Sequence, residues 1–399
     1  MRVLSVFLQG VFVYGLLASC SPPNDHQHLP VSYTIDVETL PRADALHQGL
    51  SSDSIDLPEQ IRPRYTDDFV PMQWALRNDG TDPFPPYVAT KPSADAKVIE
   101  ALDAFGQDMN SDVTVAIIDG PVDAFHPELD GQVLGTYNAF TDQFGLKSDE
   151  AGADHHTMLA LIIGAKALNG GMMGIAPMTQ LLLINGMSFE HKYLERAFDM
   201  CLRQRADIVN LSWGHKSRVL NQASVRSIFD FVKNGRGGKG GIVVVAAGNE
   251  GLDKLNTLAD IPGVIVVGAS NFHDELSSYS NRGPKLSLVA PGSSLSAPAR
   301  WNNREPKAGL PPGYCTIEGT SVSAAIVSGV CALMLSVNPE LTSDQVKQIL
   351  IKSADQIGDL ETYDFGGHSE SYGYGRVNAL RAVYYAYLLK QGFGIPNDG

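Results

Sequence analysis

Between residues 113 and 289 the chain alternates short, continuously apolar runs with longer amphipathic ones. The runs Val113–Ile118, Leu181–Ile184, Ile208–Leu211, Ile242–Val245, Val264–Val267 and Leu286–Val289 are short and mostly aliphatic, several of them rich in Val and Ile. That is the pattern of strands buried on both faces. Between several of them, Met158–Leu168, Glu190–Arg203 and Ala223–Lys233 repeat their apolar positions at helical spacing. The alternation predicts a doubly wound α/β fold with a mostly parallel sheet and helices on both faces. Ligands of such sheets bind outside the carboxyl ends of the strands. Asp119, at the end of the first run, and the loop after Val245 both fall there.

The flanks extend the pattern. Ala94–Phe105 predicts an amphipathic helix with Val98, Ile99, Leu102 and Phe105 on one face, and Ile326–Leu335 is apolar nearly all round, the mark of a core helix. Thr342 and Gln345 have capping-box spacing and open a helix expected to reach about Ala354, and a last helix should end near Leu389. Order is expected to begin near Phe69. The chain therefore divides into a leader (1–20), a polar, proline-punctuated tether or reduced prosegment (21–68), one domain (69–389) and a short tail (390–399).

The leader has an apolar block from Val6 to Leu17, too short for a membrane span and of the right length for a signal-peptide core. Leu17-Ala18-Ser19-Cys20 resembles the lipobox of bacterial lipoproteins. This implies lipidation at Cys20 and, with Ser21 in place of Asp, an outer-membrane or cell-envelope anchor. The alternative is an ordinary signal peptide cut nearby and a secreted product. Asp25-His26-Gln27-His28 is read as solvated linker over a loose metal site. A formal net charge of −14 argues against nucleic acid or an anionic membrane surface as partner, leaving the lipid anchor as the membrane contact. Cys201, Cys315 and Cys331 allow one disulfide at most; Cys331 lies in the apolar helix and reads as core.

Four stretches carry candidate chemistry. Asp119 ends a buried strand, where an ionised carboxylate needs a partner. His155 begins a helix that an apolar run buries, and Ser321, after Gly319-Thr320, begins the core helix, where unpaired N–H groups and the helix dipole favour negative charge. Val245-Ala246-Ala247-Gly248-Asn249 runs from a strand through small residues to an amide able to donate to an oxyanion. Taken singly, Thr320 or Ser321 is a helix cap and Gly248-Asn249 a turn. Taken together, a carboxylate that orients an imidazole and an imidazole that deprotonates a hydroxyl make a nucleophilic machine.

With these stretches in order, residues 70–388 resemble the subtilisin-like serine peptidases. The matches are Ala116-Ile117-Ile118-Asp119-Gly120 with His126-Pro127-Glu128-Leu129, His155 with Thr157, Gly174-Ile175-Ala176-Pro177, Asn210-Leu211-Ser212-Trp213-Gly214, Ala247-Gly248-Asn249-Glu250-Gly251, Ala290-Pro291-Gly292, Gly319-Thr320-Ser321 and Tyr374-Gly375-Arg376-Val377-Asn378-Ala379. The order of triad residues is the one known for subtilisin. The resemblance implies an endopeptidase acting on protein or peptide substrates through an acyl-enzyme. Asp119 would orient the base, His155 act as base then acid, Ser321 attack and Asn249 steady the oxyanion. Ser212, Trp213, Gly214, Ala246, Ala247 and Gly248 would wall the first specificity pocket. Trp213 would either narrow that cleft or pack beneath the strand. Catalysis would need no cofactor. Structural calcium is common in the family, but no carboxylates, Asp123 and Asp130 included, are assigned to it.

This chain departs from the family at His156, where glycine is usual, at Gly120-Pro121 in place of Ser/Thr-Gly, and at Val322–Ile326, which lacks the usual Pro-His. None removes a catalytic atom. They leave open two alternatives: a catalytically impaired module that binds peptides, and a metallohydrolase using Asp119, Asp154, His155 and His156. Neighbouring helical histidines diverge by about 100°, which makes joint ligation awkward.

Overall fold

Five of the six apolar runs form neighbouring parallel strands almost where their composition places them, and the sixth begins two residues late. In the computed structural model, Thr114–Asp119 (β1), Gln180–Asn185 (β4), Ile208–Leu211 (β5), Ile242–Ala246 (β6), Ile265–Ser270 (β7) and Leu288–Pro291 (β8) are joined by Val133–Asn138 (β2) and Gln143–Phe144 (β3). The order is β3-β2-β4-β1-β5-β6-β7-β8, parallel throughout except for the β2–β3 edge. The structure describes residues 69–81, 89–110, 112–145, 153–166, 171–188, 190–214, 220–297, 310 and 313–395. These lie in one compact unit, Ile55–Gly399. The leader, Cys20 and the His26–His28 pair lie outside the described residues.

Period-2 side-chain alternation sorts each strand between two cores. Val115, Ile117, Leu181, Leu183, Val244 and Val267 face one core, against Val98–Phe105 (α1), Asp154–Gly164 (α2), Thr320–Val337 (α5), Ser343–Ser353 (α6) and Ala379–Lys390 (α7). Ala116, Ile118, Leu182, Ile184, Val243 and Val245 face the other, against His191–Arg203 (α3) and Gln222–Asn234 (α4). The Thr342–Gln345 capping box forms and opens α6.

Every residue of α5 is buried. Its Val322, Ile326, Val327, Val330, Leu333 and Leu335 each gain about 1.5–3 kcal/mol by burial, so packing holds this helix. A side-chain N-cap would add only about 1 kcal/mol, and Gly319 supplies none.

Four short strands lie outside the six apolar runs: β2 and β3 at the sheet edge, and a separate pair. In that pair Ser293–Ser296 (β9) lies antiparallel to Cys315–Glu318 (β10), which delivers the chain to Gly319 and α5. No disulfide joins Cys201 to Cys315. Cys201 and Cys331 are buried on opposite faces of the sheet.

The chain leaves β1 towards β2 and β4 on one side, then crosses to β5 on the other, so the strand order reverses between β1 and β5. A doubly wound sheet opens its ligand crevice at such a point. In the β1–β5 pair, Ile117 stands opposite Asn210. Asp119 ends β1 and Ser212 follows the last residue of β5, so both stand at the carboxyl edge.

Candidate active site

Asp119 is almost completely buried, and one of its carboxylate oxygens carries the contacts: Oδ1 accepts from Gly120 N–H at 2.7 Å and meets His155 Nδ1 at 3.1 Å. Burial works to raise its pKa, but the hydrogen bond and charge of His155 outweigh that and hold it below the usual carboxylate range. His155 responds in the opposite sense. Burial lowers its pKa, and the bond to Asp119 overcomes this and leaves it raised. With Nδ1–H donated to the carboxylate, Nε2 is left to accept a proton. The main chain of Asp119 is fixed as well, its carbonyl accepting from Gly186 and Met187 N–H at 2.9 Å each.

Ser321 lies in the first turn of α5, which packs directly against α2, so the first turns of both helices lie at the carboxyl edge of the sheet. A buried polar chain anchors its backbone. Ser328 Oγ donates to Asn210 Oδ1 at 3.0 Å, Asn210 Nδ2 donates to Ser212 Oγ at 2.8 Å, and Ser212 Oγ donates to the Ser321 carbonyl at 3.0 Å. The structure shows no hydrogen bond between Ser321 Oγ and His155. Such bonds often tighten only when substrate is bound.

Asn249 projects from the loop after β6 and is exposed to solvent. Its Oδ1 accepts from both Thr320 N–H and Thr320 Oγ1, at 2.8 Å each, and Thr320 Oγ1 also accepts from Gly248 N–H at 3.1 Å. With its oxygen committed, the Asn249 amide can only present N–H to the cleft. Gly319, at φ +143°, completes the geometry: a Cβ there would lie 3.1 Å from both Asn249 Nδ2 and Ser321 Oγ, so these two groups border the same small space. Among the described residues Ser321 N–H takes no acceptor.

The candidate pocket residues are brought together with unequal freedom. Trp213 turns inward, buried, and donates its indole N–H to the Ile118 carbonyl at 2.6 Å, so it packs beneath the strand. Ser212 spends its hydroxyl on the Ser321 carbonyl. Gly214 and Ala246 are linked through Asn256, whose side chain lies against Gly214 and donates to the Ala246 carbonyl. The Ala247 carbonyl accepts from Asn256 N–H at 3.0 Å and Asn281 Nδ2 at 3.3 Å. Ala246 and Ala247 are buried and Gly248 is half-buried.

Thr320, Asn210, Ser328 and Thr157 were not singled out from the sequence as supports of the site. Asn210 carried a usable signal, a lone amide inside an otherwise apolar strand. Among the described residues no three His, Cys, Asp or Glu side chains converge as a metal site would need. Asp123 Oδ1 accepts from Phe125 N–H at 3.1 Å, and Asp130 is exposed.

A buried carboxylate bonded to a half-exposed imidazole, with a serine on a helix head at the same edge of a parallel sheet, is the set of groups a serine hydrolase on an α/β scaffold needs. Residues 110–375 match the model of the subtilase family, Peptidase S8. The chain is 33% identical over 260 residues to the major intracellular serine protease of Bacillus subtilis, covering 61% of this chain and 75% of that protein. It is 32% identical over 306 residues to the calcium-dependent protease of a Nostoc species, covering 67% of this chain and 46% of the other. The Aeromonas sobria serine protease, solved in complex with its chaperone, shares the fold: TM-score 0.70 at 19% identity, over 83% of this chain and 68% of that one. The chain belongs to the subtilase family and is a subtilisin-like serine peptidase. Nothing in these likenesses favours the impaired peptide-binding alternative.

Proposed function

We propose that the chain is an endopeptidase that cleaves protein or peptide amide bonds through an acyl-enzyme. His155 takes the proton of Ser321 as the hydroxyl oxygen attacks the scissile carbonyl carbon, and Asp119 stabilises the imidazolium that forms. The developing oxyanion is met by Asn249 Nδ2 and Ser321 N–H. The protonated His155 then gives its proton to the leaving amine. Water, deprotonated by the same imidazole, hydrolyses the ester and returns Ser321. Substrate would lie along Ser212–Gly214, with its first side chain against Ala246–Gly248.

The observation that carries this proposal is the 3.1 Å carboxylate–imidazole contact at the same sheet edge as Ser212, whose hydroxyl holds the nucleophile's own carbonyl. A fluorophosphonate probe should label the folded protein at Ser321, with labelling and peptide hydrolysis both absent in Ser321→Ala. A folded wild type that stays unlabelled would sink the proposal. Retention of activity in chelator would dismiss the metallohydrolase alternative.

The proposal includes export and lipidation at Cys20, motivated by the apolar leader and the Leu17–Cys20 motif. Metabolic labelling with an alkyne fatty acid should mark wild type and not Cys20→Ala. Equal labelling of both would remove the lipid anchor. Calcium, named for the Nostoc protease, is assigned no residue here.

A further inference from the structure

His156, where the family usually has glycine, is fully buried and has no part in the proton transfers. Its Nδ1 lies 2.7 Å from the Gly120 carbonyl oxygen. A carbonyl only accepts, so the proton sits on Nδ1, and burial, which lowers the pKa of this ring, keeps it neutral. Gly120 precedes Pro121. Its N–H is the group that binds Asp119 Oδ1.

The first turn of α2 therefore grips the loop after β1 at three successive points. His155 takes the Asp119 carboxylate, His156 takes the Gly120 carbonyl, and Thr157 Oγ1 accepts from Asp123 N–H at 2.9 Å. Where relatives usually have Ser/Thr-Gly after the aspartate, this chain has Gly-Pro. Asp119 Oδ2 is buried without a partner among the described residues. A glycine peptide is the least restrained choice there. The N–H that meets Asp119 Oδ1 lies in the Asp119–Gly120 peptide, whose carbonyl Gly186 and Met187 hold, and the carbonyl that His156 holds lies in the next peptide, before Pro121.

We propose that His156 is a positioning residue: by donating to the Gly120 carbonyl it clamps the first turn of α2 to the end of β1 and so holds His155 against the Asp119 carboxylate. This rests on the triad proposed above, but its primary test does not need turnover. Asp119 is the titratable group acting on His155, and Asp119 and His155 are those acting on His156.

The experiment compares wild type, His156→Leu and His156→Asn, each also in a Ser321→Ala background. The asparagine amide reproduces the Nδ1 donor; the leucine keeps bulk and removes it. NMR follows the downfield Nδ1–H proton of His155 and its pKa, and peptide kinetics follow kcat and KM. His156→Leu should lose or broaden the His155 proton signal and lower the His155 pKa towards the ordinary value. Its kcat should fall about tenfold to a hundredfold, the scale of an ångström of misplacement, with KM little changed. His156→Asn should recover most of each effect. A folded His156→Leu with wild-type NMR signature and kcat would overturn the proposal, as would an asparagine variant no better than leucine. Should leucine fail to fold, the asparagine variant's signature decides alone, and a shifted His155 there counts against it. A wild type inert to fluorophosphonate but showing the expected NMR differences would fail the peptidase proposal and leave this one standing.

Discussion

Thr320 gives Asn249 its direction. An isolated amide can point either end at a substrate, and only the two bonds accepted by Oδ1 from Thr320 turn the N–H end to the cleft. Asn249→Ala should lower kcat on the order of 10²–10³, the loss expected for one oxyanion donor, with KM little affected. A drop below tenfold would contradict that role. The protonation of His155 sets a second test. Its pKa is raised by Asp119, so the inactive, protonated ring persists to higher pH than an ordinary histidine would. Activity should therefore rise along an acid limb lying above the ordinary histidine range. In Asp119→Asn that limb should move to lower pH while kcat falls steeply, and a pH-independent rate between pH 5 and 9 would exclude a histidine base. At this scale the sequence was legible where function demands a residue type: carboxylate, imidazole, hydroxyl and amide. The inward turn of Trp213 was not, because an indole beside a strand end can pack or project and only the free Ile118 carbonyl decides.

At the scale of elements, α5 works as a buried rod whose two ends of one stripe, Ser321 and Ser328, are tied to β5 through Asn210 and Ser212. Ser212→Ala should leave the fold intact and lower kcat more than it raises KM, because it frees the carbonyl of the nucleophile without touching the reacting atoms. Equal changes in both constants would point to a substrate contact instead. Gly319→Ala tests the approach to the helix. The φ of +143° strains any side chain, and the added methyl would crowd Asn249 Nδ2 and Ser321 Oγ. Turnover should fall by about tenfold or more, read beside an unchanged circular dichroism spectrum. Strands β1 and β4–β8 and helix α6 with its capping box were legible because burial on both faces, or a cap, leaves a strong local pattern. The β9–β10 pair was not, since β9 is Ser-Ser-Leu-Ser, β10 is only four residues long, and the two pair through the backbone although they are well separated in the chain.

The whole compact unit is closed by its C-terminal motif. Arg376, buried, reaches Asp274 and Asp355, and Arg381 reaches Asp355 at 2.6 Å, tying α7 and the strand-flanking loops together. Asp274→Ala would leave the guanidinium short of a partner and should cost about 3 kcal/mol, near the lower end for breaking a buried pair. Chemical denaturation measures it; a loss below about 1 kcal/mol would place the bridge with surface pairs. The same scale explains α5, which is long and apolar enough to cross a membrane and is instead buried throughout by its neighbours. Hydropathy cannot separate those two outcomes, because lipid and a protein core reward the same side chains. What the sequence by itself determined was the alternation of buried strands and helices, the kinds of group at the strand and helix ends, and through them the family. What only the tertiary structure decided was their meeting: the reversal of strand order between β1 and β5, the two bonds that aim Asn249, and the grip of His156 on Gly120. Each depends on distances between residues far apart in the chain, which local periodicity does not encode.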